Sequence, residues 1–192
     1  MSTELKGSQT EKNLLAAFAG ESQARNRYTF FASIARKEGL EQIGAIFLET
    51  AEHEKEHAKL YFSQLEGSDL EITAAYPAGV IGKTLNNLKA AAAGENLEWS
   101  SLYPGFSQAA DDEGFKKAAV LFRNVAAVEE WHARRYKKLI ERMEKNMVFM
   151  REQPIKWKCR ECGRVIESKE PPLVCPTCTH PRAFYEPYAE NY

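Results

Sequence analysis

Cysteine is missing from the first 158 residues of this 192-residue chain, and only two of its eight prolines lie before residue 154. The first absence excludes a disulfide framework for most of the molecule. The second removes the commonest helix breaker. No sign of charge dominates, since 26 Lys and Arg face 27 Asp and Glu for a formal net charge of −1. That balance leaves no electrostatic footprint for nucleic acid or for an anionic membrane. Long apolar runs are missing too; none approaches the roughly 20 residues of a membrane span. The opening "MSTELKGSQTEKN" is too polar for a signal peptide, so the expectation is a soluble cytoplasmic protein with neither a membrane nor a nucleic-acid partner.

What is present divides the chain in two. From about residue 9 to 150 Ala, Leu, Glu, Lys and Arg dominate, which is helix composition. From "REQPIKWKC" onward come six of the eight prolines and all four cysteines, without a helical period. A segment of roughly 40 residues seldom holds a fold by burial alone, so a second, metal-stapled module is expected over 151–192 beside a helical domain over 1–150.

The helical part repeats itself. "LLAAFAGE" (14–21) and "LKAAAAGE" (88–95) agree at six of eight positions with an offset of 74. At an offset of 75, Phe47, Ala51, Glu54, His57, Ala58 and Tyr61 fall on Phe122, Ala126, Glu129, His132, Ala133 and Tyr136. Glu38-Gly39 likewise falls on Glu113-Gly114, and Tyr28 on Tyr103. Each half reads as two helices joined at Glu-Gly, about 10–38 with 40–66 and 82–111 with 115–148, the first starting near Thr10 and Glu11. The intervening "EGSDLEITAAYPAGVIG" is too long for a tight turn. A mainly α, ferritin-like four-helix bundle with one long crossover follows.

Glu54 and His57, and again Glu129 and His132, stand three residues apart and so leave one face of their helices. Glu21 and Glu95 sit midway along the first and third helices among small or apolar neighbours. One such Glu alone reads as surface charge. The set does not, because four carboxylates among core-like residues such as Ala17, Ala24, Phe47, Ala51 and Val125 need cations to offset their burial. One Glu from each of two helices plus Glu-x-x-His from the other two is the ligand pattern of a di-metal bundle. Carboxylate and imidazole suit iron or manganese, and zinc accepts the same donors. His53 lies off the Glu54/His57 face, and Val128 takes its place in the repeat, so it reads as a group behind the ligands or on the surface. Tyr28 and Tyr103 are placed either to hydrogen-bond ligand carboxylates or to serve as ordinary core tyrosines.

Glu98 follows Glu95 by three residues and has no counterpart in the first half. Glu21 to Glu38 spans 17 residues and Glu95 to Glu113 spans 18, with the extra residue before Tyr103. Helices commonly absorb one such residue as a π turn, often at a functional site.

In the tail, "CREC" (159–162) and "CPTC" (175–178) give Cys-x-x-Cys twice, a tetrahedral thiolate site for which zinc and a single iron are equally suited. Trp157, Phe184 and Tyr185 are the expected small core of this module, and His180 reads as structural.

With "AGE", "EHEKEH", "GENLEW", "LYPGF", "VEEWH" and "CREC…CPTC" in this order, nearly the whole chain resembles the rubrerythrins, in which a ferritin-like diiron domain is joined to a rubredoxin-like Fe(Cys)4 domain. The resemblance implies a non-haem diiron peroxidase that reduces hydrogen peroxide to water in oxidative-stress protection. Electrons would reach it from a redox protein, a rubredoxin or an NAD(P)H-dependent reductase. It implies Glu21, Glu54, His57, Glu95, Glu98, Glu129 and His132 as ligands of two irons, with Glu54 and Glu129 as bridges. Glu98 and His57 become the pair that exchange at one iron between oxidation states. Cys159, Cys162, Cys175 and Cys178 become ligands of the third iron, or of a substitute zinc. Arg164 follows the Cys-Gly where many rubredoxin-like modules carry an aromatic residue, a departure that touches the donor-docking surface and not ligation. A ferroxidase or iron-handling role, and a zinc-ribbon interaction protein on a helical bundle, are the alternatives. A reach on the order of 25 Å along the last helix from His132 to residue 149 leads to the expectation of a homodimer, with each tail against the partner's bundle.

Overall fold

A computed structural model describes residues 4–191; the outermost ends of the two expected domains, at residues 1 and 192, lie outside the described residues. Helix α1 runs over Gln9–Lys37 and α2 over Glu41–Phe62. After an irregular crossover the third bundle helix begins as α3, Thr84–Leu97, passes through a π-helical stretch, Glu98–Leu102, and continues as α4, Tyr103–Asp112. The fourth, α5, is Lys116–Glu144.

The ends of these helices have local causes. Ser8 caps α1 by accepting the Glu11 amide at 3.0 Å while Glu11 accepts the Gly7 amide, so the helix starts slightly before the expected Thr10. Both Glu-Gly pairs terminate their helices in the same way. Gly39 and Gly114 take φ of +74° and +87°, and the amides of Leu40 and Phe115 return to the carbonyls of Ala35 and Ala110. Each preceding glutamate then reaches across to the other half. Glu113 accepts the amides of Gln9 and Thr10 and the Thr10 hydroxyl at 2.6–2.9 Å, and Glu38 accepts the Thr84 amide at 3.2 Å. Helix α2 ends at Phe62 and α5 at Glu144, short of the expected 66 and 148. In α5 the stop is Asn146, at φ +56°, doing without a side-chain-free residue what glycine does elsewhere.

Two layers of buried apolar side chains fill the bundle. One gathers Tyr28, Phe31, Phe47, Leu88 and Tyr136; the other Leu14, Tyr61, Tyr103, Phe122 and Val125. Phe47 and Phe122, matched in the repeat, anchor their own layers, with ring centroids 5.4 Å from Tyr136 and 5.1 Å from Tyr61. The inward-facing polar side chains lie between the layers.

Beyond α5 the chain forms three antiparallel strands, β1 (Ile155–Cys159), β2 (Val165–Ser168) and β3 (Tyr185–Pro187), in the order β2-β1-β3. Trp157, Cys159, Cys175 and Tyr185 are its buried core, with Phe184 packed against them. This module rests against the α1–α2 turn, where a Cβ at Gly39 would stand 3.6 Å from Ala183.

Candidate metal centres

Four helices bring six of the candidate ligands into the gap between the aromatic layers. Glu21, Glu54, His57 and Glu129 form one set and Glu54, Glu95, Glu129 and His132 a second, all of them buried. The two shared carboxylates divide their oxygens. Glu54 places Oε2 at 2.9 Å from His57 Nδ1 and Oε1 at 3.3 Å from His132 Nδ1; Glu129 places Oε1 at 2.8 Å and Oε2 at 2.7 Å from the same two atoms. Glu21 closes the first set at 3.9 Å from His57, and Glu95 the second at 3.4 Å from His132. Oxygen and nitrogen donors each about 2.1 Å from one ion stand about 3 Å apart, the spacing most of these atoms already have.

Most of the atoms that face one another have no hydrogen-bond partner outside the cluster. Both oxygens of Glu54 and of Glu129, Oε2 of Glu95 and Nδ1 of both histidines are buried and unpaired. Uncompensated burial costs several kcal/mol per ion, against a whole-domain stability of about 5–15 kcal/mol, so the cluster needs cations. Its protonation behaviour without them says the same. Burial, and then the neighbouring carboxylates, push Glu21 and Glu129 well above the usual carboxylate range. Burial works against charge on His132, yet the carboxylates of Glu129, Glu54 and Glu95 that close on its Nδ1 prevail and raise it to about 12. The donor set fits two ions, and this chain carries a diiron carboxylate–histidine site.

Tyrosines cross between the halves to hold the unshared carboxylates. The Tyr28 hydroxyl donates to Glu95 Oε1, and the Tyr103 hydroxyl to Glu21 Oε1. Each tyrosine thus serves the glutamate of the other half, not the one nearest in sequence. Behind them lie two more buried tyrosines, Tyr61 beside Tyr103 at 5.6 Å and Tyr136 beside Tyr28 at 5.7 Å. The sequence marked these only as repeat matches, although a tyrosine one turn beyond each Glu-x-x-His was the signal available.

Glu98 opens the π stretch, half-buried, and belongs to neither ligand set. Burial and then the charges of Glu95, Glu129 and Glu54 raise its pKa well above the carboxylate range, which puts it beside the cluster. The Tyr103 amide bonds back to the Glu98 carbonyl, five residues earlier, and Pro104 follows. Proline has no amide and crowds the carbonyl four residues before it, so the widened turn relieves what a regular helix would suffer there. Pro104 was the unused sequence signal for this turn. His53, on α2, lies behind the ligands: its Nδ1 is 3.1 Å from His132 Nε2.

In the tail, the Sγ atoms of Cys159 and Cys178 are 3.8 Å apart and those of Cys162 and Cys175 3.7 Å. A disulfide needs about 2.05 Å. A tetrahedron with metal–sulfur bonds of about 2.3 Å has edges of about 3.8 Å, so the four thiols fit one metal ion. The Tyr185 hydroxyl beside Cys175 lowers that thiol to about 6, already favouring the thiolate.

Comparison with known proteins agrees with both centres. Residues 12–140 match the family described as Rubrerythrin, and residues 157–186 the Rubrerythrin, rubredoxin-like domain. A rubrerythrin of Porphyromonas gingivalis is 60% identical over 100% of this chain and 96% of its own length. One from Nitratidesulfovibrio vulgaris is 50% identical over 98% of each. Among solved structures, the fully reduced, all-ferrous state of nigerythrin superposes with a TM-score of 0.62 at 31% identity, over 95% of this chain and 91% of that one. Reduced symerythrin from Cyanophora paradoxa does so with 0.60 at 25%, over 71% and 86%.

Proposed function

The chain belongs to the rubrerythrin family, and on that premise we propose that it is a cytoplasmic non-haem diiron peroxidase that reduces hydrogen peroxide to water. Its two working parts divide at residues 150 and 151. The observation that carries the reading is the division of the Glu54 and Glu129 oxygens between His57 and His132, which sets two ion positions side by side. Two ferrous ions held there would supply the two electrons that, with two protons, turn one peroxide into two waters without release of hydroxyl radical.

The protein's share is positional. Glu54 and Glu129, common to both donor sets, would hold both ions, Glu21 with His57 and Glu95 with His132 would complete the two positions, and Tyr28 and Tyr103 aim the unshared carboxylates. The aromatic layers on either side keep bulk water away. Glu98, beside the cluster, and His57, within it, would be the alternative ligands of one position in the two oxidation states. Cys159, Cys162, Cys175 and Cys178 would hold a third iron, which would supply one-electron chemistry toward a donor, a rubredoxin or an NAD(P)H-dependent reductase.

A homodimer completes the path. Helix α5 ends 12 residues beyond His132, about 18 Å along the axis, and the tail module rests at the far turn, some 16 residues or about 24 Å along α1 from Glu21. Trp131, 66% exposed, and Val128 present apolar surface on α5 next to His132, suited to a partner's tail. A monomer with full activity in solution would overturn this arrangement.

Anaerobic titration tests the function. Chemically reduced protein should consume one peroxide per diiron site, and the oxidised tail should show an iron–thiolate charge-transfer band. A colourless, zinc-only tail on a bundle that consumes no peroxide would reject the reading in favour of an interaction module. Oxygen-driven mineral growth without peroxide turnover would favour iron handling, for which a one-electron relay has no use.

A further inference from the structure

The two histidines of the cluster are held differently. His132 turns Nδ1 toward Glu54, Glu95 and Glu129, and its opposite nitrogen, Nε2, lies 3.1 Å from Nδ1 of His53. The two rings are stacked, with centroids 5.3 Å apart and planes 10° from parallel. A metal on Nδ1 leaves the proton on Nε2, so His132 donates and His53 accepts. One turn before His53, Arg135 on α5 reaches over to Glu49 and to the Thr50 hydroxyl, tying α2 to α5 next to it.

His57 has no such support. Its Nδ1 faces Glu21, Glu54 and Glu129, but among the described residues no hydrogen bond reaches its Nε2. The repeat explains the difference. His53 on α2 clamps His132 on α5, and an offset of 75 maps this pair onto Val128 on α5 and His57 on α2. Valine has nothing to offer an imidazole N–H.

We propose that His53 is a positioning residue that locks the His132 ring through Nε2, and that Val128, in the matching place, leaves the His57 ring free to turn. Ligand exchange is thereby confined to the His57 position, while the Glu95/His132 position stays fixed. The inference rests on the di-metal reading of the cluster, and metal uptake by the wild-type chain tests that separately.

The experiment strips the full-length protein of metal and titrates it with Co(II), read by visible absorption and by the hyperfine-shifted imidazole N–H signals. Wild type should bind two ions in the bundle and show one slowly exchanging imidazole N–H, from His132, and one fast. His53→Val should keep one position at wild-type affinity, weaken the other by about 10- to 100-fold and lose the slow N–H. His53→Asn, which keeps a hydrogen-bonding group near the place of Nδ1, should recover most of both. Val128→His, at a partly exposed position that tolerates the change, should add a second slow N–H by clamping His57. Equal affinities and equal exchange in wild type and His53→Val, with Val128→His adding nothing, would overturn the role of His53. A wild-type bundle that takes up no Co(II) would instead reject the di-metal reading.

Discussion

Glu98 is a carboxylate set next to four others, an arrangement that stands only if something takes up its charge. Since neither ligand set includes it, Glu98→Ala should still bind two ferrous ions. If Glu98 serves the ferric state as proposed, reoxidation by peroxide should slow by about tenfold, about 1.4 kcal/mol of barrier. Stopped-flow absorption of the reduced protein checks this, and unchanged rates would return Glu98 to the ordinary surface charges. The same crowding makes the metal-free protein sensitive to pH. Glu21, Glu98 and Glu129 are raised from 4.5, and His57 and His132 from 6.5, so the folded chain holds protons that the unfolded chain releases above those values. Their contribution to stability is therefore present at low pH and lost as pH rises; within and beside the cluster Glu54 and His53, which are lowered, oppose them. The melting temperature of metal-free protein should fall between pH 6 and 8. Loading with metal should remove that slope, because the ions displace the protons. The ligands themselves were legible in the sequence, since helical geometry imposes their spacing of three. Their supports were legible only as options: Tyr28 and Tyr103 stood as candidate donors to ligand carboxylates and His53 as a group behind them, but which partner each finds lies across helices, where separation along the chain carries no information.

Helices were legible as helices because composition and repeat agree over whole turns, whereas their ends depend on single residues. The Asn146 stop in α5 and the π turn before Pro104 show how little sequence such a feature occupies. The Glu-Gly pairs were visible as a repeat, but only the fold shows why glutamate stands there. Glu113 makes three hydrogen bonds to the start of α1, and Glu38 makes one longer bond to the start of α3. Burial opposes charge on Glu113, but the bonds from Thr10 and Gln9 together outweigh it, holding its pKa below the usual value. Glu113→Ala should cost about 1 kcal/mol of stability and Glu38→Ala less, as capping substitutions do. Urea denaturation of the two variants measures the difference, and an equal or reversed order would show that the cap bonds are not what these glutamates contribute.

On the scale of the molecule, two metal centres share no side chain, so one can be removed without the other. Cys175→Ser should abolish the iron–thiolate band and turnover from a protein donor, while the bundle keeps two metals and the reduced protein still consumes about one peroxide per site. Surviving turnover would make the tail a staple. Where the tail rests, against Gly39, was not legible, because that contact depends on two surfaces fitting and not on any residue pattern. The cross-links between the halves have a further consequence. Glu38 binds Thr84 as Glu113 binds Thr10, and Tyr28 binds Glu95 as Tyr103 binds Glu21. Each is a bond and its mirror under exchange of halves, the signature of an isologous pair of identical subunits. A lone α1–α2 hairpin meeting its own copy would possess every one of these bonds and both bridging carboxylates. The chain thus has the form of a symmetric dimer written as one polypeptide, and joining the copies is what permits them to differ. They differ at Glu98 in one and His53 in the other, so inequivalence between the two metals is something no pair of identical hairpins could have encoded.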